Sequence, residues 1–290
     1  MKLESPSSIQ ARIVLEFSTG VQLRAMALKN YLEDLHASLE VSLERNFAPV
    51  KLLVYDQNDW GKNAPYPYGF TFYRRLPTGQ GIVFAPADYP ARLLWTYREV
   101  ILKAEKAGIK TPGTLEEFLD LALGHELGHA VADQLELRTR VRWVDEFLAT
   151  FFYLLALKNT NPEALARVLQ WAQVFGIGGS ENTLNSSLVK PAGIRVRKTQ
   201  QRLEQAAASR VNRTDLGAFE FPFSRLTPAN QAWFQAKLLT QANSILDARG
   251  ASFILEALEH LVKLKGRGEI SRALLKLEPG LKTWFKVFRS

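Results

Sequence analysis

Apolar side chains recur along this chain with two different periods, and the switches between them mark its elements. Residues 11–18 (ARIVLEFS) and 50–55 (VKLLVY) are short aliphatic runs of the kind that form strands. Between them, Leu23, Met26, Ala27, Tyr31, Leu35, Leu39 and Leu43 return every three or four residues, which predicts a long helix over 22–46. Residues 56–68 mix Asn, Asp, Gly and two prolines and predict a loop. Residues 69–75 and 81–84 predict two strands around a Pro-Thr-Gly turn, and Pro90 opens a helix running to Ala107.

From residue 114 onward the pattern is helical. Thr114-Leu115-Glu116-Glu117 fits a capping box, opening a helix that ends near Leu137 and buries Phe118, Leu121, Ala122, Val131 and Leu135. The next segment, Val141 to Leu157, is apolar almost all round through Trp143, Val144, Phe147, Leu148, Phe151, Phe152, Leu154 and Leu155, so it belongs inside a core. Pro162 stands at the favoured first position of a helix over 162–175. Residues 177–199 have the weakest pattern and read as a linker or loop. Helices follow near 228–249, 251–264, 268–276 and 279–288. The fold class is therefore α+β: a small N-terminal sheet with helices, then a mostly helical remainder. The expected division is residues 1–138, with the sheet and the 114–137 helix, and residues 139–290, all helical.

The 114–137 helix carries His125-Glu126-Leu127-Gly128-His129. Residues four apart share a helix face, so His125 and His129 can point two imidazoles at one ion. Glu126 lies about 100° round the helix, where it reaches a water on the metal rather than the metal itself. Two neutral nitrogen ligands and a carboxylate base suit a zinc hydrolase. The flanks Gly124, Leu127, Gly128 and Ala130 are small or apolar and let another element pack close. A third ligand is available on the following apolar helix, which can return antiparallel and bring Glu146 beside the two histidines. Asp145 is its rival; Glu146 is preferred because Ala149 and Thr150, three and four residues on, leave room on that side. The alternative is a pair of partly buried helix histidines bonded to backbone or carboxylates, but an unpaired charged Glu146 in so apolar a helix would cost several kcal/mol.

With Glu146-x-x-Ala149 on the next helix, the His-Glu-x-x-His motif resembles the gluzincin, thermolysin-type zinc metallopeptidases. HELGHAVAD (125–133) is similar to their active-site helix, and the wider layout resembles bacterial peptidase-MA-like domains, where a Trp often precedes the ligand Glu as Trp143 does here. The resemblance implies a zincin-like fold, Zn2+ held by His125, His129 and Glu146, Glu126 as general base, and hydrolysis of peptide or protein substrates by a metal-bound water. Two positions depart from the family. Its Asp four residues after the ligand Glu is Thr150 here, which makes Asp133 a candidate to steady the first histidine. Its usual Tyr or His oxyanion donor has no counterpart, since the last tyrosine is Tyr153; His260, Arg195, Arg197, Asn230 or an upstream Tyr are the remaining options. The alternative function is thus a zincin-fold peptide- or protein-binding protein with weak or no turnover. Strand 81–85 is a candidate edge strand for pairing with extended substrate.

Composition adds limits rather than direction. A chain of 290 residues with 47% hydrophobic content has ample material for a core. It has no cysteine, which excludes disulfides, thiolate metal sites and a cysteine nucleophile. The four histidines are His36, His125, His129 and His260; the first and last, near Glu33, Glu40 and Glu259, read as solvated or satisfied. Phe219, Phe221, Phe223, Trp233 and Phe234 read as core rather than pocket wall. Net charge is +8, and it is uneven: residues 1–150 hold 17 basic against 19 acidic groups, residues 151–290 hold 20 against 10. No nucleic-acid motif accompanies the basic half, so a solvated basic face is expected there rather than a nucleic-acid interface. No apolar run is long enough for a transmembrane segment, and residues 1–20 lack the order of a signal peptide, so an exported form would have lost its signal. Oligomeric state has no signature in the sequence.

Overall fold

The computed structural model describes residues 11–139, 141–178, 228–264 and 266–286. The chain is α+β. Strands β1 (Ile13–Phe17), β2 (Val50–Tyr55), β3 (Phe72–Arg75) and β4 (Gly81–Pro86) form one sheet in the order β1-β2-β4-β3. β1, β2 and β4 are parallel; β3 runs antiparallel on the β4 side and ends the sheet. Helix α1 (Gln22–Leu43) makes the crossover from β1 to β2, burying Leu28, Leu32, Leu35, Leu39 and Leu43 on one side. The sheet is covered on both faces, which is why β4, and β2 apart from Lys51, are apolar rather than alternating. Leu52, Val54, Val83 and Ala85 join the main core, while Leu53, Tyr55, Ile82 and Phe84 pack with Trp60 and Phe72 on the opposite face.

The second face needs an element the loop expectation over 56–68 missed. Helix α2 (Gln57–Asn63) is capped by Asp56, whose side chain accepts from the backbone N–H groups of Asn58 and Asp59. It delivers Trp60 to Phe72 and Phe84, and the latter two rings stack at 4.4 Å. Asn, Asp and Gly read as loop residues, but an Asp N-cap followed by a single buried Trp is enough for two turns when a sheet face waits for it.

Helix α3 (Ala91–Lys106) precedes α4 (Leu115–Gln134), α5 (Arg142–Thr160) and α6 (Pro162–Gly178). The α4 capping box is formed: Thr114 Oγ1 accepts from the Glu117 N–H, and the Glu117 carboxylate accepts from the Thr114 N–H. Helix α5 is buried almost all round, as its sequence predicts, with α1, α4, α6 and α7 (Pro228–Arg249) packed about it. Helices α8 (Ser252–Leu261), α9 (Arg267–Leu277) and α10 (Gly280–Lys286) follow. One contiguous apolar core joins the inner sheet face to α1 and to the helices from α3 onward. Trp233 and Phe234 belong to it; Phe219, Phe221 and Phe223, and the expected 177–199 linker from residue 179 on, lie outside the described residues. Among the described residues no helix is long and apolar enough to cross a membrane.

Candidate metal centre

Helix α4 is pinned to the rest of the molecule upstream of its motif. Arg24 of α1 makes a two-pronged ion pair with Asp120, at 2.9 and 2.6 Å, and Tyr89 donates to the same carboxylate at 2.9 Å. Four and eight residues further on, α4 meets α5 at near-backbone contact. A Cβ on Gly128 would stand 2.2 Å from the Ala149 carbonyl oxygen, and one on Gly124 would stand 2.6 Å from the Tyr153 ring. The two glycines set the distance between the helices, and that distance sets what the motif can reach.

What it reaches is Glu146. His125 Nε2 lies 3.1 Å and His129 Nε2 3.5 Å from Glu146 Oε2, with both imidazoles mostly buried. The three ligand atoms lie within 4.8 Å of one another. Donors held 2.0–2.2 Å from a tetrahedral ion are roughly 3.3–3.6 Å apart, close to the two histidine–glutamate separations, so the set could hold a metal ion.

Thr150 Oγ1 donates to the Glu146 carbonyl at 2.8 Å, so towards His125 Nδ1, at 3.2 Å, it accepts. His125 thus has a hydrogen on Nδ1 and presents Nε2 to the carboxylate at 3.1 Å, a contact that either a proton on Nε2 or a cation between the two groups satisfies. Burial opposes charge on Glu146, but His129 and His125 outweigh it and hold its carboxyl well below the usual range. Burial likewise opposes charge on His129, and Glu146, then Glu126 and Asp145, outweigh it and raise its pKa. Glu126 sits beside the set; burial, with a smaller push from Glu146, raises its pKa against the pull of the two histidines and the Tyr73 backbone N–H.

The other sequence-predicted residues are placed as follows. Asp145, the rival ligand, turns away: Thr139 donates to it from its backbone N–H at 2.8 Å and its hydroxyl at 2.7 Å. Asp133 does not steady His125. It is buried and receives the Tyr73 hydroxyl at 2.6 Å and Arg75 Nη1 at 3.2 Å, while Thr150, the apparent gap in the family pattern, is the residue on His125 Nδ1. Strand 81–85 is not an edge: β4 lies between β2 and β3, and β3 is the terminal strand beside α4. A strand of four residues with Arg74 and Arg75 gave the weaker apolar signal, which is why the sequence pointed to its neighbour. Of the oxyanion candidates, Arg195 and Arg197 lie outside the described residues, His260 is exposed on α8, and Asn230 is buried in α7. His36 is fully buried rather than solvated. Sequence reasoning missed Tyr73 and Arg142. The Tyr73 ring lies parallel to His129 at 6.4 Å, and Arg142 Nε is 4.0 Å from Glu146 Oε1, one turn before it on α5. The second was legible as an i,i+4 pair; the first depends on which strand abuts α4.

No protein-family model, curated protein or solved structure matches this chain. The functional reading rests on the site.

Proposed function

We propose that this protein is a zinc-dependent peptidase of gluzincin type. One observation carries the reading most: Nε2 of His125 and Nε2 of His129, on one helix, both face the same oxygen of the buried Glu146 on the next, at 3.1 and 3.5 Å. His125, His129 and Glu146 would hold the ion, two neutral nitrogens and one carboxylate being the donor set of catalytic zinc. When bound, zinc supplies Lewis-acid chemistry, acidifying water and polarising a carbonyl. Glu126 is the base. Its raised pKa suits a carboxylate that takes a proton from attacking water and returns it to the leaving amine nitrogen. Thr150 and Arg142 hold the His125 ring and the outer side of the Glu146 carboxylate. Strand β3, the sheet edge beside α4, is the element an extended peptide would pair with, main chain to main chain.

A second reading, peptide binding without turnover, has one observation in its favour: the phenol beside His129, that of Tyr73, is committed to Asp133 rather than to the site. The two readings part in a cleavage assay on zinc-loaded protein with Glu126→Gln as its partner. Under the peptidase reading the variant keeps its zinc and loses about 10²–10⁴-fold in rate. Equal signal from both proteins removes the catalytic claim. Purified protein that refuses zinc on reconstitution removes the metal site.

A further inference from the structure

The two histidines are held in different ways. His125 has a hydrogen-bonded partner at Nδ1, the Thr150 hydroxyl. Among the described residues His129 has none there; what faces it is the ring of Tyr73, nearly parallel, with 14° between the planes. That ring is confined on its other sides. A Cβ on Gly81 of β4 would stand 3.0 Å from Tyr73 Cε2, so the strand leaves room for the ring and little more. The phenol hydroxyl donates at 2.6 Å to Asp133, which is 5% exposed and lies one helical turn beyond His129 on α4. Arg75, two residues along β3, pairs with the other oxygen of the same carboxylate at 3.2 Å.

One strand residue thus addresses two members of the α4 helix: a candidate ligand through its ring, and a buried carboxylate through its hydroxyl. Packing alone would require only the ring. A buried hydroxyl-to-carboxylate bond fixes the phenol in one direction, because leaving Asp133 short of a partner inside the protein is costly. The bond also fixes β3 in register with α4, since sliding either element by one residue would break it.

We propose that Tyr73 is the positioning residue for His129, and that Asp133, with Arg75, is the anchor that holds Tyr73 in place. Tyr73 does for His129 by stacking what Thr150 does for His125 by hydrogen bonding. The proposal rests on the metal-site reading and extends it to the residues around the ligands, where loss of an orienting partner typically weakens metal affinity or activity by about 10–100-fold.

The test uses the whole chain and two readouts besides turnover: zinc affinity by chelator competition, and the visible absorption of the cobalt(II)-loaded protein, which reports ligand geometry. Tyr73→Leu removes ring and hydroxyl and is expected to weaken zinc about 10–100-fold and to change the cobalt spectrum. Tyr73→Phe and Asp133→Asn keep the ring and disturb only the anchor; each is expected to cost about tenfold in affinity, at the lower end of that range. Should the leucine variant not fold, the two conservative variants decide. Folded variants with wild-type zinc affinity and cobalt spectrum overturn the positioning role while leaving the metal site intact. Wild-type protein that takes up neither zinc nor cobalt overturns the metal-site reading itself, and this proposal with it.

Discussion

Two buried histidine–glutamate sets in this protein begin from the same sequence geometry and end in opposite chemistry. On α1, His36 and Glu40 are four residues apart, and His36 Nδ1 lies 3.7 Å from Glu40 Oε1. But Glu40 is already spent: Oε2 accepts from Arg12 at 2.6 Å and Oε1 from the Phe47 N–H at 3.2 Å. Neither His36 nitrogen makes a well-formed hydrogen bond. Burial lowers its pKa, Glu40 and the Ala48 backbone offsetting this only in part, and the ring stays neutral against Phe47. On α4, His125 and His129 share the same four-residue spacing, but the carboxylate comes from a second helix and is spent on them alone apart from Arg142. The difference teaches that neither burial nor helical spacing makes a metal site. Gathering three ligand-type groups takes two elements whose approach is fixed independently, here by Gly128 against Ala149 and by the Arg24–Asp120 pair.

The sharpest way to break the comparison is to remove one histidine from each set. His129→Ala should take the zinc content of reconstituted protein from about one per chain to near none, while His36→Leu leaves it at one. Elemental analysis reads both, and a His36 variant that lost its metal would erase the distinction. Next in size is the helix crossing. Gly128→Val forces a side chain into the Ala149 carbonyl and should destabilise the fold by about 3 kcal/mol, read as a lowered denaturant midpoint. A wild-type midpoint would mean that the helices part at no cost. Smaller still, Thr150→Val keeps the volume but deprives His125 Nδ1 of its acceptor, and should weaken zinc by about tenfold. The variant matching wild type in chelator competition would show that Thr150 does not set the tautomer.

The smallest effect belongs to His36 and reads out as pH dependence. Its folded pKa lies below the unfolded value, so both states are neutral above about pH 6.5 and His36 then contributes nothing to the slope. As pH falls below that value, the unfolded chain takes a proton that the folded protein refuses, and stability drops by up to about 1.4 kcal/mol per pH unit until the folded pKa is reached. His36→Leu should remove that part of the decline below about pH 6.5. Parallel stability–pH curves for the two proteins would show that the ring is protonated in place, with Glu40 and Glu33 supplying the counter-charge against Arg12.

Much of this was legible in the sequence, and the parts that were not share a cause. The α4 capping box, the all-apolar α5, the pairing of His125 and His129 and the preference for Glu146 over Asp145 all depend on contacts within a helix or on how much space small residues leave. Local periodicity encodes such features directly. The order β1-β2-β4-β3 does not follow from periodicity, because any apolar strand can lie beside any other until crossovers and covering helices are counted. For that reason the edge strand was misplaced by one, and Tyr73 was invisible as a neighbour of His129. The fate of acidic side chains was equally hidden. Asp133 and Asp145 look alike as exposed-type residues on helices, and only the packed chain shows that one anchors Tyr73 and the other caps the Thr139 turn. By itself, then, the sequence determined the elements, the fold class and the pairing of His125 with His129 on one helix face, because these are written at separations of one to four residues. The tertiary structure decided which strand borders the site, which hydroxyl orients each histidine and which buried histidine has nothing to bind, because those outcomes rest on contacts between residues 25 to 60 positions apart.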